Sequence, residues 1–166
     1  MYRALAIATL CLVTCAAQAQ ELVGCDKFKW PLDAEHAALA RADLPRLASG
    51  ADVAQPPAAG IVIALVSLQD SRLPMPPERA PKQASSFAGF VKIGAPTAGT
   101  YRISLSAEAW IDVIQGGHYV KSSAFSGATG CPGLRKSVKF GLTAEPFVVQ
   151  LSGVPAETIA IVVTND

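Results

Sequence analysis

Histidine is nearly missing from this chain: His36 and His118 are the two that occur in 166 residues. Nucleophilic catalysis by serine or cysteine needs a base beside the nucleophile, usually an imidazole. Zinc and iron centres also draw many of their ligands from that side chain. Neither histidine stands at zinc-ligand spacing from a cysteine or from the other histidine. Gly-x-Ser-x-Gly is absent, so a hydrolase nucleophile elbow has no support. Gly-x-Gly-x-x-Gly and the Walker loop are absent too, which removes the usual routes to nucleotide chemistry. Charge is also scarce, at 16% of residues and a net +1, and leaves no field to draw in nucleic acid or an anionic membrane. Past the N-terminus the longest apolar run, Ile61 to Val66, is strand-sized, so no transmembrane segment is expected in the mature chain.

What is present begins with an export signal. Met1-Tyr2-Arg3 supplies one positive charge, Ala4 to Ala17 is apolar or small throughout, and Ala17-Gln18-Ala19 forms an A-x-A cleavage site before Gln20. The apolar stretch is shorter than the roughly 20 residues a spanning helix needs. Residues 1–19 therefore read as a cleaved signal peptide and residues 20–166 as one mature domain, periplasmic or secreted. A lipoprotein signal ending at Cys15 is the competing reading, but Thr14 is larger than the residue usual before a lipidated cysteine.

Cys11 and Cys15 fall in the leader, which leaves Cys25 and Cys131 in the mature chain. Two cysteines in an exported domain most simply pair with each other; a cysteine-only metal site or two free thiols are the alternatives. Closing a loop of about a hundred residues is worth roughly 4.7 kcal/mol in the chain-entropy model.

Asp33 to Arg41 is made mostly of Ala, Leu, Glu and His behind a capping aspartate, and predicts one short N-terminal helix that Pro45 and Ser49-Gly50 close off. Beyond it the pattern changes to short β-branched and aromatic runs punctuated by Gly, Pro and Ser, which predicts a β-sandwich, jelly-roll-like, of mainly β class. Strands are expected near residues 61–67, 87–93, 100–106, 109–115, 118–123, 134–142, 147–152 and 158–164. Tyr101, Ile103 and Leu105 alternate with Arg102, Ser104 and Ser106, a buried face against a wet one. Val138, Phe140 and Leu142 point inward in the same way. The run from Ile61 to Val66 does not alternate and is expected to be covered on both faces. Pro74, Pro76, Pro77 and Pro81 make residues 73–81 an extended surface loop.

Arg135, Lys136, Lys139 and Lys121 form the densest basic group, which could contact an anionic ligand, though the spacing better suits a solvated strand face. The carboxylates Glu78, Glu108, Asp112, Glu145 and Glu157 are scattered singly, and nothing pairs two of them for acid–base hydrolysis. The sharper signal is Gly116-Gly117, which suits a two-residue hairpin turn. Pairing Gln115 with His118 sets Ile114 opposite Tyr119, Val113 opposite Val120, Asp112 opposite Lys121 and Trp110 opposite Ser123. Ile111, Val113 and Val120 then share the core face. Trp110, Asp112, Tyr119 and Lys121 share the other, as a candidate ligand-binding platform. The plainer reading is that the segment around Phe28 and Trp30 covers this face as a second core.

Four segments, Gly24 to Pro31, Pro76 to Lys82, Ala109 to Val113 and Gly130 to Val138, together resemble a group of small uncharacterised secreted bacterial proteins. Some of that group bear the label homogentisate 1,2-dioxygenase, which implies an iron-dependent ring-opening oxygenase. Iron chemistry of that kind uses two histidines and a carboxylate on one side of a site. His36 falls on the expected helix and His118 beside a tight turn, so no residue is carried over from the resemblance. The expectation is a non-catalytic protein that binds an unknown small ligand or a periplasmic partner, with no cofactor, no metal ligand and no nucleic acid. A small iron-dependent oxygenase is the alternative.

Overall fold

The computed structural model describes residues 22–81, 83, 85–95 and 97–166. The expected leader, its expected cleavage site and the expected start at Gln20 lie outside the described residues. Among the described residues twelve strands stand against one α-helix, so the chain is mainly β, and Cys25 is bonded to Cys131.

One sheet has the order β1 (Arg46–Ala48), β3 (Ile61–Ala64), β12 (Thr158–Asn165), β6 (Gly99–Leu105), β10 (Lys136–Leu142), β9 (Ser122–Gly127). The other runs β2 (Asp52–Val53), β5 (Phe87–Ile93), β11 (Phe147–Val154), β7 (Trp110–Gln115), β8 (His118–Val120), with β4 (Val66–Ser67) also paired to β5. Side-chain alternation turns one face of each sheet to a shared core. Ile63, Ile103, Phe140 and Ile161 come from the first sheet, and Val91, Val113, Val149 and Leu151 from the second. The strands expected at 87–93, 100–106, 109–115 and 158–164 form within one residue at either end. The short parallel strands β1 and β2 were not expected.

Two expected strands split between the sheets. β3 ends at Ala64, and past Leu65 the chain crosses to β5 as β4. β8 ends at Val120, and past Lys121 the chain crosses to β10 as β9. The run 61–66 is therefore not covered on both faces: Ile61, Ile63 and Leu65 are buried while Ala64 and Val66 are exposed. Its outward residues lose cover because only the inward ones reach the core.

The helix α1 (Asp33–Leu39) is seven residues long and lies within the chain, behind a single 3-10 turn at Cys25–Lys27, not at the N-terminus. The residues before it are drawn into pairing with a distant loop, as Val23 bridges Thr129 and Gly24 N–H donates to the Thr129 carbonyl at 2.8 Å. Leu32 and Leu39 pack with Cys131, Leu134 and Val162, and Phe28 and Trp30 join them. This second cluster lies on the outer face of the first sheet. It corrects the wet face expected for Arg102, Ser104 and Ser106. Ser104 is fully buried and donates to the Ser137 hydroxyl at 3.0 Å. Arg102 reaches Glu35 at 3.0 Å, and Glu35 is itself buried.

Candidate ligand-binding site

The turn at Gly116-Gly117 takes φ of 59° and 79°, values a two-residue hairpin needs and that glycine adopts without strain. The register is the expected one: Val113 faces Val120, Ile114 faces Tyr119 and Gln115 faces His118. Asp112 and His118 thus project from opposite faces. The ladder stops at Val113–Val120, because the chain leaves the sheet at Lys121. Lys121 is therefore not set opposite Asp112, nor Ser123 opposite Trp110; Lys121 is exposed at the crossing.

On its other side β7 pairs with β11, setting Gln150 beside Asp112 and Ser152 beside Trp110. The outer face of this sheet thus carries a polar row of Trp110, Asp112, Gln150 and Ser152. Asp112 is 1% exposed. Its Oδ1 accepts from Trp110 Nε1 at 2.6 Å, and its Oδ2 accepts from Gln150 Nε2 at 3.2 Å and from the Glu78 backbone N–H at 3.4 Å. Burial pushes the Asp112 carboxyl above the usual carboxylate range; the donors, Trp110 first, pull the other way without cancelling it.

The segment that covers this row is not the one around Phe28 and Trp30, which lies on the other sheet. Residues 73–81 do so. Met75 N–H donates to Gln150 Oε1, Glu78 N–H to Asp112, and the Tyr119 hydroxyl to the Pro76 carbonyl. The proline-rich stretch is a strap stitched to the sheet by backbone groups that a regular ladder leaves unused. Partial desolvation, with the charges of Asp112 and Glu78 nearby, raises the pKa of the half-buried Tyr119 phenol.

Two clefts open where the strap meets the sheets. The first, about 270 Å³, is lined by Arg79, Pro81, Glu108, Trp110, Lys136 and Ser152 among others. The second, about 280 Å³, shares Arg79, Trp110 and Lys136, and runs inward over Ile111, Val120, Val138 and Phe140, with Phe125 and Glu78 at its edge. Its apolar walls come from both sheets. Arg79 holds its guanidinium 5.4 Å from the Trp110 ring centre and makes no ion pair among the described residues. Lys136 Nζ donates to the Ala109 carbonyl at 2.7 Å and faces Glu108 at 3.5 Å. Burial lowers the Lys136 ammonium pKa, and Glu108 opposes that shift. Ser152 Oγ is buried and has no hydrogen-bond partner among the described residues.

The fold thus brings Trp110, Asp112 and Tyr119 together under one strap and leaves Lys121 outside. Arg79, Lys136, Gln150 and Ser152 were missed as site residues. The alternation of Gln150 and Ser152 in the run 147–152 was the available signal for two of them. The basic group disperses: Arg135 and Lys136 turn to Glu108, and Lys139 to Asp166 and the Trp30 ring. Among the described residues, no place gathers two histidines with a carboxylate. Comparison of the chain with protein-family models, curated proteins and solved structures returns no match.

Proposed function

We propose that this chain is an exported, non-catalytic binding protein, whose two sheets are the layers of a jelly-roll-like β-sandwich. Its ligand is a small organic anion with an apolar body, seated at Trp110. The observation that carries the reading is Arg79: a guanidinium with no ion-pair partner among the described residues, held over Trp110 at the wall shared by two clefts. An arginine in that setting offers planar donors to a carboxylate, and charge-assisted bonds of this kind are the strong ones. Ser152 Oγ adds an unused polar group in the first cleft, and Ile111, Val120, Val138 and Phe140 supply apolar walls in the second. A mostly apolar cleft with a few convergent polar groups is the usual form of a small-ligand site. Asp112 and Gln150 position Trp110 and the strap, and are not in this reading groups that touch ligand.

Calorimetric titration with hexanoate and benzoate, against hexanamide and benzamide, tests the reading. Saturable binding of the acids and not of the amides is expected. Equal binding of both, or of neither, contradicts it. Export is checked separately by the intact mass of protein recovered from the periplasm, which should begin at Gln20. A mass beginning at Cys15 with lipid attached refutes the cleaved-soluble reading.

A further inference from the structure

The fold carries His36 to the disulfide: one imidazole nitrogen and the sulfurs of Cys25 and Cys131 lie within 4.8 Å of one another. Sequence spacing gives no hint of this, because three separate elements converge. The 3-10 turn brings Cys25, α1 brings His36, and the Cys131-Pro132-Gly133 turn brings Cys131 against Leu32 and Leu39. His36 Nε2 is 2.7 Å from the Pro132 carbonyl oxygen. A carbonyl can only accept, so Nε2 carries the proton, and in the neutral ring the free lone pair is on Nδ1. Metal-bound imidazoles are oriented in this way, by donation of the second ring N–H to a carbonyl or carboxylate.

While the sulfurs are bonded to each other they are not thiolates and bind no cation well. A dithiol donor can supply two electrons and two protons, becoming a disulfide itself and leaving two thiols on this chain. A thiophilic cation then displaces the two thiol protons, which go to solvent. Two thiolates and one imidazole suit a d¹⁰ ion such as Zn²⁺, with water as a fourth ligand. Thiolates on one tetrahedral zinc stand about 3.7 Å apart, from Zn–S bonds of about 2.3 Å. Backbones whose Cα atoms are 4.7 Å apart can reach that spacing with small side-chain movements. Cys25 is exposed while Cys131 is 8% exposed, so reductant and metal would arrive from the Cys25 side.

We propose that the reduced protein holds one Zn²⁺ at Cys25, His36 and Cys131, so that the covalent tie between the N-terminal segment and the 131–133 turn is exchangeable for a metal tie at the same place. The test uses the mature protein, fully reduced with a phosphine, desalted without oxygen and titrated with zinc against a chromophoric chelator; cobalt serves as a spectroscopic probe. One zinc per chain is expected, with sulfur-to-cobalt charge transfer in the near ultraviolet. His36→Ala should weaken zinc binding on the order of tenfold or more, and the oxidised protein should not compete with the chelator. If reduction alone unfolds the chain, zinc should restore its circular dichroism, and His36→Ala should raise the zinc concentration required. Reduced protein that stays folded without binding zinc, reduced protein that zinc does not refold, or a His36→Ala variant that binds as tightly as the parent overturns the proposal.

Discussion

Replacing Asp112 by alanine should damage this protein far more than an aspartate on an exposed strand face would. The carboxylate is 1% exposed and accepts from Trp110 Nε1 at 2.6 Å and Gln150 Nε2 at 3.2 Å. Alanine removes the acceptor of both donors. An orphaned buried donor costs about 1–3 kcal/mol. Two such donors therefore set a loss of about 2–6 kcal/mol, from which the relieved desolvation of the carboxylate subtracts roughly 1–2 kcal/mol. The Glu78 N–H, at 3.4 Å, adds little. The expected net destabilisation is about 1–4 kcal/mol, against the 0.5 kcal/mol or less usual at an unconstrained surface site. Asp112→Asn keeps the shape and one acceptor for Trp110, but turns an amide N–H₂ toward Gln150 Nε2. Gln150 cannot flip without giving up its bond from the Met75 N–H. Its cost should be intermediate, about 1–2 kcal/mol. Urea unfolding followed by circular dichroism and tryptophan fluorescence reads both values, a loss of 3 kcal/mol moving the midpoint by about 1–3 M at ordinary m-values. An Asp112→Ala variant within 0.5 kcal/mol of the parent, with the Trp110 indole N–H resonance unmoved, refutes the burial argument.

The pH dependence has a definite sign. Burial raises the folded-state pKa of Asp112 above the unfolded value near 3.9. The contribution of this group is therefore full below the unfolded value and is lost as pH rises through the folded one. Asp112→Asn has no such group, so the stability of the parent minus that of the variant should grow from pH 7 to pH 4 in matched urea titrations; a difference that stays flat or shrinks contradicts the assignment. The Cys25–Cys131 bond spans 106 residues in sequence. Its reduction in a zinc-free, chelator-containing buffer, or Cys25→Ser, should remove up to about 4.7 kcal/mol and lower Tm by roughly 10 °C or more; an unchanged Tm shows the bridge to be idle.

What could be read from the sequence was local. Gly116-Gly117 sets the turn, the turn sets the register, and the register correctly divides Ile111, Val113 and Val120 from Trp110, Asp112 and Tyr119. The cysteine pairing follows from the count if residues 1–19 are the leader the sequence suggests. Which segment covers which face is a question of chain path, and alternation carries no information about it. Residues 73–81 and the segment at Phe28 and Trp30 both lack ladder periodicity, and either could have covered the platform. Their places were fixed by long-range contacts, Met75 to Gln150 for the strap and Trp30 to the cluster around Val162 for the other. The crossings at Leu65 and Lys121 were hidden for a related reason. Each sits inside a continuous strand-like run, and nothing at a single residue announces that hydrogen bonding passes to the other sheet. The crossing at Lys121 is what separates it from Asp112.

Arg79 and Trp110 together are proposed to seat a small organic anion. The most direct test is to record ¹H–¹⁵N spectra of the mature protein during titration with hexanoate, for the parent and for Arg79→Gln. Saturable shifts are expected, centred on the Trp110 indole N–H and on the backbone of residues 108–112 and 136–140. Affinity should be about tenfold or more weaker in Arg79→Gln, since a charge-assisted bond is worth about 1.5–3 kcal/mol. Shifts that never saturate, that centre elsewhere, or that give the same affinity in Arg79→Gln contradict the proposal.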